Sequence, residues 1–180
     1  MCDILAEIAR TLGQEHLGSI LPDIRELLSD EMLEVQLSAS KSVVQILDLL
    51  PPEDLKELSL SILKLYQSTP KKSEEILSQN FGKLLYQLKQ RKDCITDSER
   101  LIEAFLLLIK PLFNSTEKSI RVNCAFNFPA MIWILQVEGF EATHFDFVSS
   151  NLTEDIEVVF PIISGFHEIA KIGCKFGDVK

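Results

Sequence analysis

The side chains that most often perform catalysis or bind metals are scattered along this 180-residue sequence. The three histidines, His16, His144 and His167, lie far apart, and none belongs to an HExxH metal-binding pattern. The four cysteines occupy positions 2, 94, 124 and 174, so no pair has the close spacing of zinc ligands or of a redox dithiol. His167 precedes Glu168, but adjacent residues project from different sides of a helix and do not form a site together. The sequence therefore predicts neither a metal centre nor a cofactor.

Loops that bind phosphate groups or present a serine nucleophile are also missing from the sequence. It contains no GxSxG, no GxxxxGK[ST] and no glycine-rich dinucleotide turn, and it has only seven glycines. Carboxylates are plentiful, but helix starts and solvated helix faces account for them. We therefore expect a chain that is not an enzyme, and catalysis is the third hypothesis after two kinds of binding protein.

The charge of the chain restricts its partners. Eighteen basic and 27 acidic side chains give a formal net charge of -9, which repels a phosphate backbone and argues against nucleic acid. The only basic clusters are Lys71-Lys72 and residues 89–92, KQRK. Neither is interleaved with aromatic residues, so we interpret both as solvated loops or as local docking points for an acidic partner.

The longest apolar run, residues 101–113, is too short and too charged to span a bilayer, so we expect no membrane partner. The first residues show no basic stretch followed by a long apolar core, which makes a signal peptide unexpected. Widely separated cysteines favour a reducing compartment. We therefore expect a cytoplasmic protein.

A repeat in the sequence predicts the helices that would position any functional residue. Similar helical patterns begin at residues 34, 75, 119 and 157, which are spaced by 41, 44 and 38 residues. Each follows another helical segment, most clearly where Leu and Ile recur at steps of three and four. Two-helix repeats of the HEAT or armadillo type have periods of about 40–47 residues. The pattern predicts an all-α HEAT-repeat solenoid of about four antiparallel helix pairs.

The whole chain is predicted to form one array. We expect a half repeat at 1–13 and helix pairs at about 14–50, 52–90, 97–137 and 139–173. Both ends resemble interior repeats without polar caps, so we expect an excerpt of a longer protein or a very short family member.

Local signals predict where the helices begin and bend. Pro51-Pro52 separates two pairs, and Thr69 is expected to cap the helix that starts with Pro70. Thr96 and Glu99 have the spacing of a capping box. Pro129, within an apolar helical pattern, is expected to kink its helix.

The periodicity also predicts a core. The residues expected to be buried are Leu21, Ile24, Leu28, Val35, Ala39, Val43, Ile46, Leu84, Leu108, Ala125, Phe128, Ile162 and Phe166.

Several motifs point to one family. Residues 17–35, LGSILPDIRELLSDEMLEV, resemble a HEAT repeat, in which Gln36 follows where many such repeats have arginine and Arg121 keeps that arginine. The segment 120–132, IRVNCAFNFPAMI, closely resembles a stretch of the HEAT-repeat regulatory subunit 4 family of protein phosphatase 4. Residues 78–84, SQNFGKL, and 165–171, GFHEIAK, resemble helices of the same regulators, in the same order. The resemblance covers nearly the whole chain but only a middle part of the family protein.

The resemblance implies a non-catalytic scaffold that binds a phosphatase 4-like Ser/Thr protein phosphatase catalytic subunit. Metals and catalytic residues would belong to that partner. The alternative is a HEAT adaptor with a different client, such as a transport or cytoskeletal protein.

Related phosphatase scaffolds hold the catalytic subunit on the turns inside each helix pair, so the resemblance points to the turns at 29–34, 67–73, 114–118 and 151–155. If these turns do not bind the partner, the second-helix face near Arg121 and Asn123 is the other candidate. The candidate partner-binding residues are Asp30, Glu31, Glu34, Lys71, Lys72, Glu117, Lys118, Arg121, Asn123, Glu154 and Asp155.

Overall fold

A computed structural model describes residues 7–11, 13, 16–135 and 156–165. Throughout these residues the regular structure is helical, and none of them forms a strand. The helices are α1 (7–11), α2 (Leu17–Leu28), α3 (Leu33–Ile46), α4 (Pro52–Ser68), α5 (Pro70–Gln90), α6 (Ser98–Ile109), α7 (Lys118–Leu135) and α8 (156–165), with a 3-10 segment at Lys110–Asn114.

The helices stack as consecutive pairs. Helix α2 packs on α3 and α4 on α5, and in the third pair the 3-10 segment that follows α6 packs on α7. The first helices of the pairs, α2, α4 and α6, also contact one another in order, as do the second helices, α3, α5 and α7. This two-layer arrangement confirms the predicted all-α solenoid. Most of the predicted fourth pair lies outside the described residues, which include only α8 from it.

One apolar core runs through the stack. It extends from Ala9 in α1 to Ile134 in α7, and a small second cluster joins Ala125 to Val158 and Ile162 of α8. Such burial is the main favourable term for a helix that is only marginally stable alone.

Most of the predicted core residues within the described ranges are buried. Leu28, Val35 and Leu108 are only half-buried. Leu28 and Val35 flank a turn, where a side chain has fewer neighbours, and Leu108 lines a surface groove. Phe166 lies outside the described residues.

Proline positions were better signals than the predicted caps. Helices α4 and α5 begin at Pro52 and Pro70, where the missing N–H would have had no helical partner. Thr69 precedes α5, but its Oγ1 donates a hydrogen bond back to the Leu65 carbonyl of α4, at 2.8 Å. The predicted Thr69 side-chain cap is therefore wrong. The capping box is also wrong, because α6 is preceded by Asp97 in a left-handed conformation and has no side-chain cap.

Contacts between side chains join neighbouring pairs. Nη2 of Arg25 in α2 lies 2.5 Å from Oδ1 of Asp54 and 3.0 Å from Oε2 of Glu57, both in α4. Helix α7 continues through Pro129, and a Cβ placed at Gly165 of α8 would lie 2.6 Å from Cγ of that proline. The glycine therefore permits a close approach of α8 to the proline ring. Among the described helices, none combines the length and apolar character needed to cross a membrane.

Candidate functional site

The turns inside the helix pairs form the surface to which the resemblance points. We use "turn edge" for the intra-pair turns at 29–32, at 69 and at 110–117, together with the first turn of the helix that follows each. Residues Glu154 and Asp155 were predicted to belong to a fourth such turn, and they lie outside the described residues.

Asp30 shapes the first turn of the turn edge. Its Oδ1 accepts a hydrogen bond from the Met32 backbone N–H at 2.7 Å, and its carbonyl accepts one from Nε2 of Gln36 at 2.6 Å. Glu31 and Glu34 are exposed beside it. The first turn thus has one acidic residue that maintains its shape and two that face solvent.

Gln36 and Arg121 perform the same task in two different pairs. Nη1 of Arg121 donates to the carbonyls of Ser115 and Thr116, at 2.8 and 3.1 Å. Gln36 donates to the carbonyl six residues before it, as Arg121 does to Ser115. Both side chains therefore bind the preceding turn from the second helix, and Arg121 is half-buried there.

Asn123 is also used within the chain. Its Nδ2 donates to Oγ of Ser78 in α5, at 3.1 Å. One helical turn later, Nδ2 of Asn127 lies 3.1 Å from the Ser78 carbonyl and 3.3 Å from that of Gln79. These contacts link the second helices of two successive pairs.

A glycine allows this close approach of α5 and α7. A Cβ placed at Gly82 would lie 2.3 Å from Oδ1 of Asn127 and 3.3 Å from Cβ of Ala130. We call Ser78 and Gly82 of α5 with Asn123 and Asn127 of α7 the asparagine interface. Its signal in the sequence is a pair of small residues four apart facing a pair of asparagines four apart. In the sequence these residues belong to the two family-like motifs, and Asn123 was predicted to bind a partner; their contact with one another was not predicted.

The third turn connects to α8. Nζ of Lys118 lies 2.7 Å from Oε2 of Glu157, while Glu117 is exposed and its backbone N–H donates to Oγ of Ser115 at 3.2 Å. Lys118 thus has an acidic neighbour within the chain, and Glu117 faces solvent.

Lys71 and Lys72 lie at the second turn, in the first turn of α5, and both are exposed. Within the described part of the chain, neither forms an ion pair. The other basic cluster differs. Lys89 is buried, and Arg91 donates through Nη2 to the Asp48 carbonyl at 2.7 Å and through Nη1 to the Leu50 carbonyl, beyond the end of α3. In the second cluster only one basic side chain, Lys92, is exposed, whereas both lysines of the first cluster are.

A groove opens beside Lys71 and Lys72, between the second and third pairs. We call it the turn-edge groove, and its volume is about 130 Å³. Its lining residues come from α4, α5, α6 and the 3-10 segment: Tyr66, Pro70, Ser73, Glu74, Leu77, Leu107, Leu108, Pro111 and Leu112.

Tyr66 is almost completely buried under the turn-edge groove. Its Oη lies 3.1 Å from Oγ of Ser40 in α3. Burial raises the pKa of Tyr66 to about 12, against a smaller lowering by the hydrogen bond with Ser40. The hydroxyl is thus neutral at ordinary pH, and it supports the groove without being a proton donor or acceptor for chemistry.

The geometry of these sites suits binding to another molecule. Among the described residues, no group of three or more His, Cys, Asp or Glu side chains is placed to hold a metal ion. On the turn edge, the features that face solvent are mixed charges and an apolar groove.

Two curated proteins are similar to this chain. Human "Serine/threonine-protein phosphatase 4 regulatory subunit 4" is 29% identical over 96% of the chain, and the mouse protein of the same name is 28% identical over 96%. The resemblance expected from the motifs is confirmed at partial length. The chain spans about a fifth, 22%, of each relative. Neither name describes a catalytic subunit, in agreement with the predicted non-enzymatic chain. No family model and no solved structure matches the chain.

Proposed function

We propose that this chain is a segment of a non-catalytic regulatory scaffold that binds a phosphatase 4-like Ser/Thr phosphatase catalytic subunit. The observation that supports the proposal is similarity over 96% of the chain to proteins named as regulatory subunits of that phosphatase. A solenoid of stacked helix pairs suits the role, because it offers a long surface of turns and needs no reactive pocket. The metals and catalytic residues belong to the partner, and we place the complex in the cytoplasm.

The proposed contact surface is the turn edge. Glu31, Glu34, Lys71, Lys72 and Glu117 are the candidate residues there that face solvent. Charges of both signs on an exposed edge favour encounter with a partner of complementary pattern, and salt should slow that encounter.

The remaining candidates support this edge from within the chain. Arg121 binds the third turn, Asn123 links α7 to α5, and Lys118 pairs with Glu157. Asp30 maintains the first turn through the Met32 N–H. A charge reversal at Asp30 would therefore disturb the turn and the partner surface together, so Asp30 should be kept when the surface is tested.

The test is capture of purified phosphatase 4 catalytic subunit by the immobilised chain. The variant Glu31→Lys with Glu34→Lys reverses two exposed charges and leaves Asp30 in place. We expect about tenfold weaker capture at low salt, and a smaller difference at high salt, because the exposed charges are then screened. Unfolding curves should show that the variant is folded.

The matched control is Glu99→Lys with Glu103→Lys on α6. It makes the same change of net charge at two exposed positions, one of them also in a first helical turn. Capture should be unaffected by this control. Equal loss in both variants would assign the effect to net charge and remove the turn edge from the proposal. Failure of the unmodified chain to capture the phosphatase, with recovery of another client, would favour the general adaptor.

A further inference from the structure

We infer that the turn-edge groove binds a short acidic peptide segment that places one bulky apolar side chain in the groove. This deepens the proposed function, because the groove lies on the same edge, and it adds the chemistry of the bound segment. Three features of the groove support it: an apolar lining, an exposed leucine that lines it, and three exposed lysines close in sequence to its lining prolines.

The lining is mostly apolar, and several of its side chains are buried in the core. Tyr66, Leu77 and Leu112 are buried, and their side chains come from α4, α5 and the 3-10 segment. The volume of about 130 Å³ is comparable to that of an engineered cavity of about 150 Å³ that accepts benzene. The groove therefore has room for one large aliphatic or aromatic side chain.

The rim exposes apolar surface to water. Leu107 of α6 is 71% exposed although it lines the groove, and Pro70 and Pro111 are exposed on either side. A single exposed leucine is ordinary on a protein surface, but one beside an open apolar groove adds area that a ligand would remove from water. We expect Leu107 to cover the inserted side chain.

The charges around the groove select an acidic ligand. Lys71 and Lys72 follow Pro70, Lys110 precedes Pro111, and all three are exposed without an ion pair in the described part of the chain. The first turn of α5 has no acidic residue, so the positive end of its dipole adds to this charge.

Glu74 is the one carboxylate among the lining residues, and it is half-buried. It should disfavour an acidic group inside the groove itself. We therefore expect the apolar side chain of the ligand to enter the groove and its carboxylates to lie on either side, toward the lysines.

A second copy of this chain is a poorer occupant than an acidic peptide. Two chains of net charge -9 repel each other, whereas an acidic segment is attracted to Lys71, Lys72 and Lys110. A short anchored segment also matches a groove that accepts only one large side chain. Self-association is therefore an outcome that the test must exclude, by sedimentation of the chain at the binding concentrations.

The test is fluorescence anisotropy with the full 180-residue chain and labelled nine-residue peptides. One set contains Leu or Phe at each position in turn within a background of Glu, Asp and Gly. The second set replaces every acidic residue by Lys, and the third replaces the Leu or Phe by Ser. We expect members of the first set to bind at least tenfold more tightly than their counterparts in both other sets, with affinity falling as salt rises.

Variants of the chain locate the binding. Leu107→Ser should weaken the best peptide about tenfold, and Lys71→Glu with Lys72→Glu should weaken it at least as much. The matched controls are Phe126→Ser, which removes another exposed apolar side chain, and Lys41→Glu with Lys92→Glu, which reverses two exposed charges elsewhere. Both controls should bind as the unmodified chain does.

Two results would overturn the inference. One is that no acidic apolar peptide binds better than its basic counterpart, and the other is that Leu107→Ser leaves the affinity unchanged in a folded chain. Either result with normal capture of the catalytic subunit would remove the peptide groove and leave the proposed function standing. Peptide binding without capture of the catalytic subunit would support the peptide groove and contradict the proposed function.

Discussion

The asparagine interface and the turn-edge groove use side chains in opposite ways. In the first, two asparagines and a serine lie between packed helices and hydrogen bond across the contact. In the second, leucines, prolines and a tyrosine surround an opening to solvent. Polar side chains thus link two helix pairs at the asparagine interface, whereas mostly apolar side chains line the groove that we propose as a binding site.

This difference separates the family motif from the candidate binding surface. The most specific motif, residues 120–132, includes Arg121, Asn123 and Asn127, and all three bind other parts of the chain. Similarity in that motif therefore reflects contacts within one helix pair and between successive pairs. The candidate groove instead combines residues from segments that show no motif, between Tyr66 and Leu112.

The largest expected effect comes from filling the asparagine interface. Gly82→Val should destabilise the chain by about 3 kcal/mol or more, because the added atoms displace Asn127 and overpack the contact. Gly82→Ala should destabilise it by about 1 kcal/mol. Chemical denaturation followed by circular dichroism measures both changes.

Gly18→Ala in α2 is the matched control, since a Cβ there would have no atom within 4 Å. It should leave stability unchanged or raise it by up to about 0.5 kcal/mol, because Ala favours the helix but Gly18 lies in its first turn. The loss from Gly82→Ala should also shrink when Asn127 is Ala. A stabilising Gly82→Ala in the unmodified chain would show that the interface is looser than described.

The two basic clusters should differ in how much they contribute to stability, because one binds other parts of the chain and the other is exposed. Arg91→Met removes charged hydrogen bonds to the carbonyls of Asp48 and Leu50 and should destabilise the chain by about 1–2 kcal/mol. Lys71→Met, at the groove, should change stability by less than about 0.5 kcal/mol, because an exposed, unpaired side chain contributes little. Thermal unfolding of both variants checks the contrast, and equal losses would mean that Lys71 has a structural partner.

As the pH rises, ionisation should destabilise the fold first at a buried cysteine beside the asparagine interface and then at the tyrosine under the groove. Burial raises the pKa of Cys124, on α7, from 9.0 to about 12, and that of Tyr66, under the groove, from 10.0 to about 12. In both groups the folded state holds the proton more tightly than the unfolded state. The resulting stability is therefore complete below the unfolded pKa and is lost as pH rises toward 12.

From pH 8 to pH 10, Cys124 should lower the free energy of unfolding by about 1.4 kcal/mol, while Tyr66 should lower it by about 0.4 kcal/mol at pH 10 and exert most of its effect above that pH. Denaturation at several pH values measures the slope. Cys124→Ala should remove the fall that begins near pH 9, whereas Tyr66→Phe and Cys94→Ala, a change at an exposed thiol, should keep it. An unchanged slope in Cys124→Ala would assign the early fall to other groups.

The sequence by itself was sufficient for the helical architecture. Steps of three and four between apolar residues depend only on the local geometry of a helix. They therefore predicted the all-α solenoid and most of the expected core, such as Val43 and Phe128. Prolines likewise predicted the starts of α4 and α5, because a missing N–H has its effect at its own position.

Only the tertiary structure determined how polar and charged side chains are used. Thr69 and Asp97 lie at helix starts, yet neither side chain caps its helix, and Asp30 maintains a turn instead of simply facing solvent. Arg91 and Lys71 belong to similar clusters and have different roles. The turn-edge groove joins residues as distant in sequence as Tyr66 and Pro111. Such contacts depend on the offset between stacked helices, and the periodicity of a single helix contains no information about that offset.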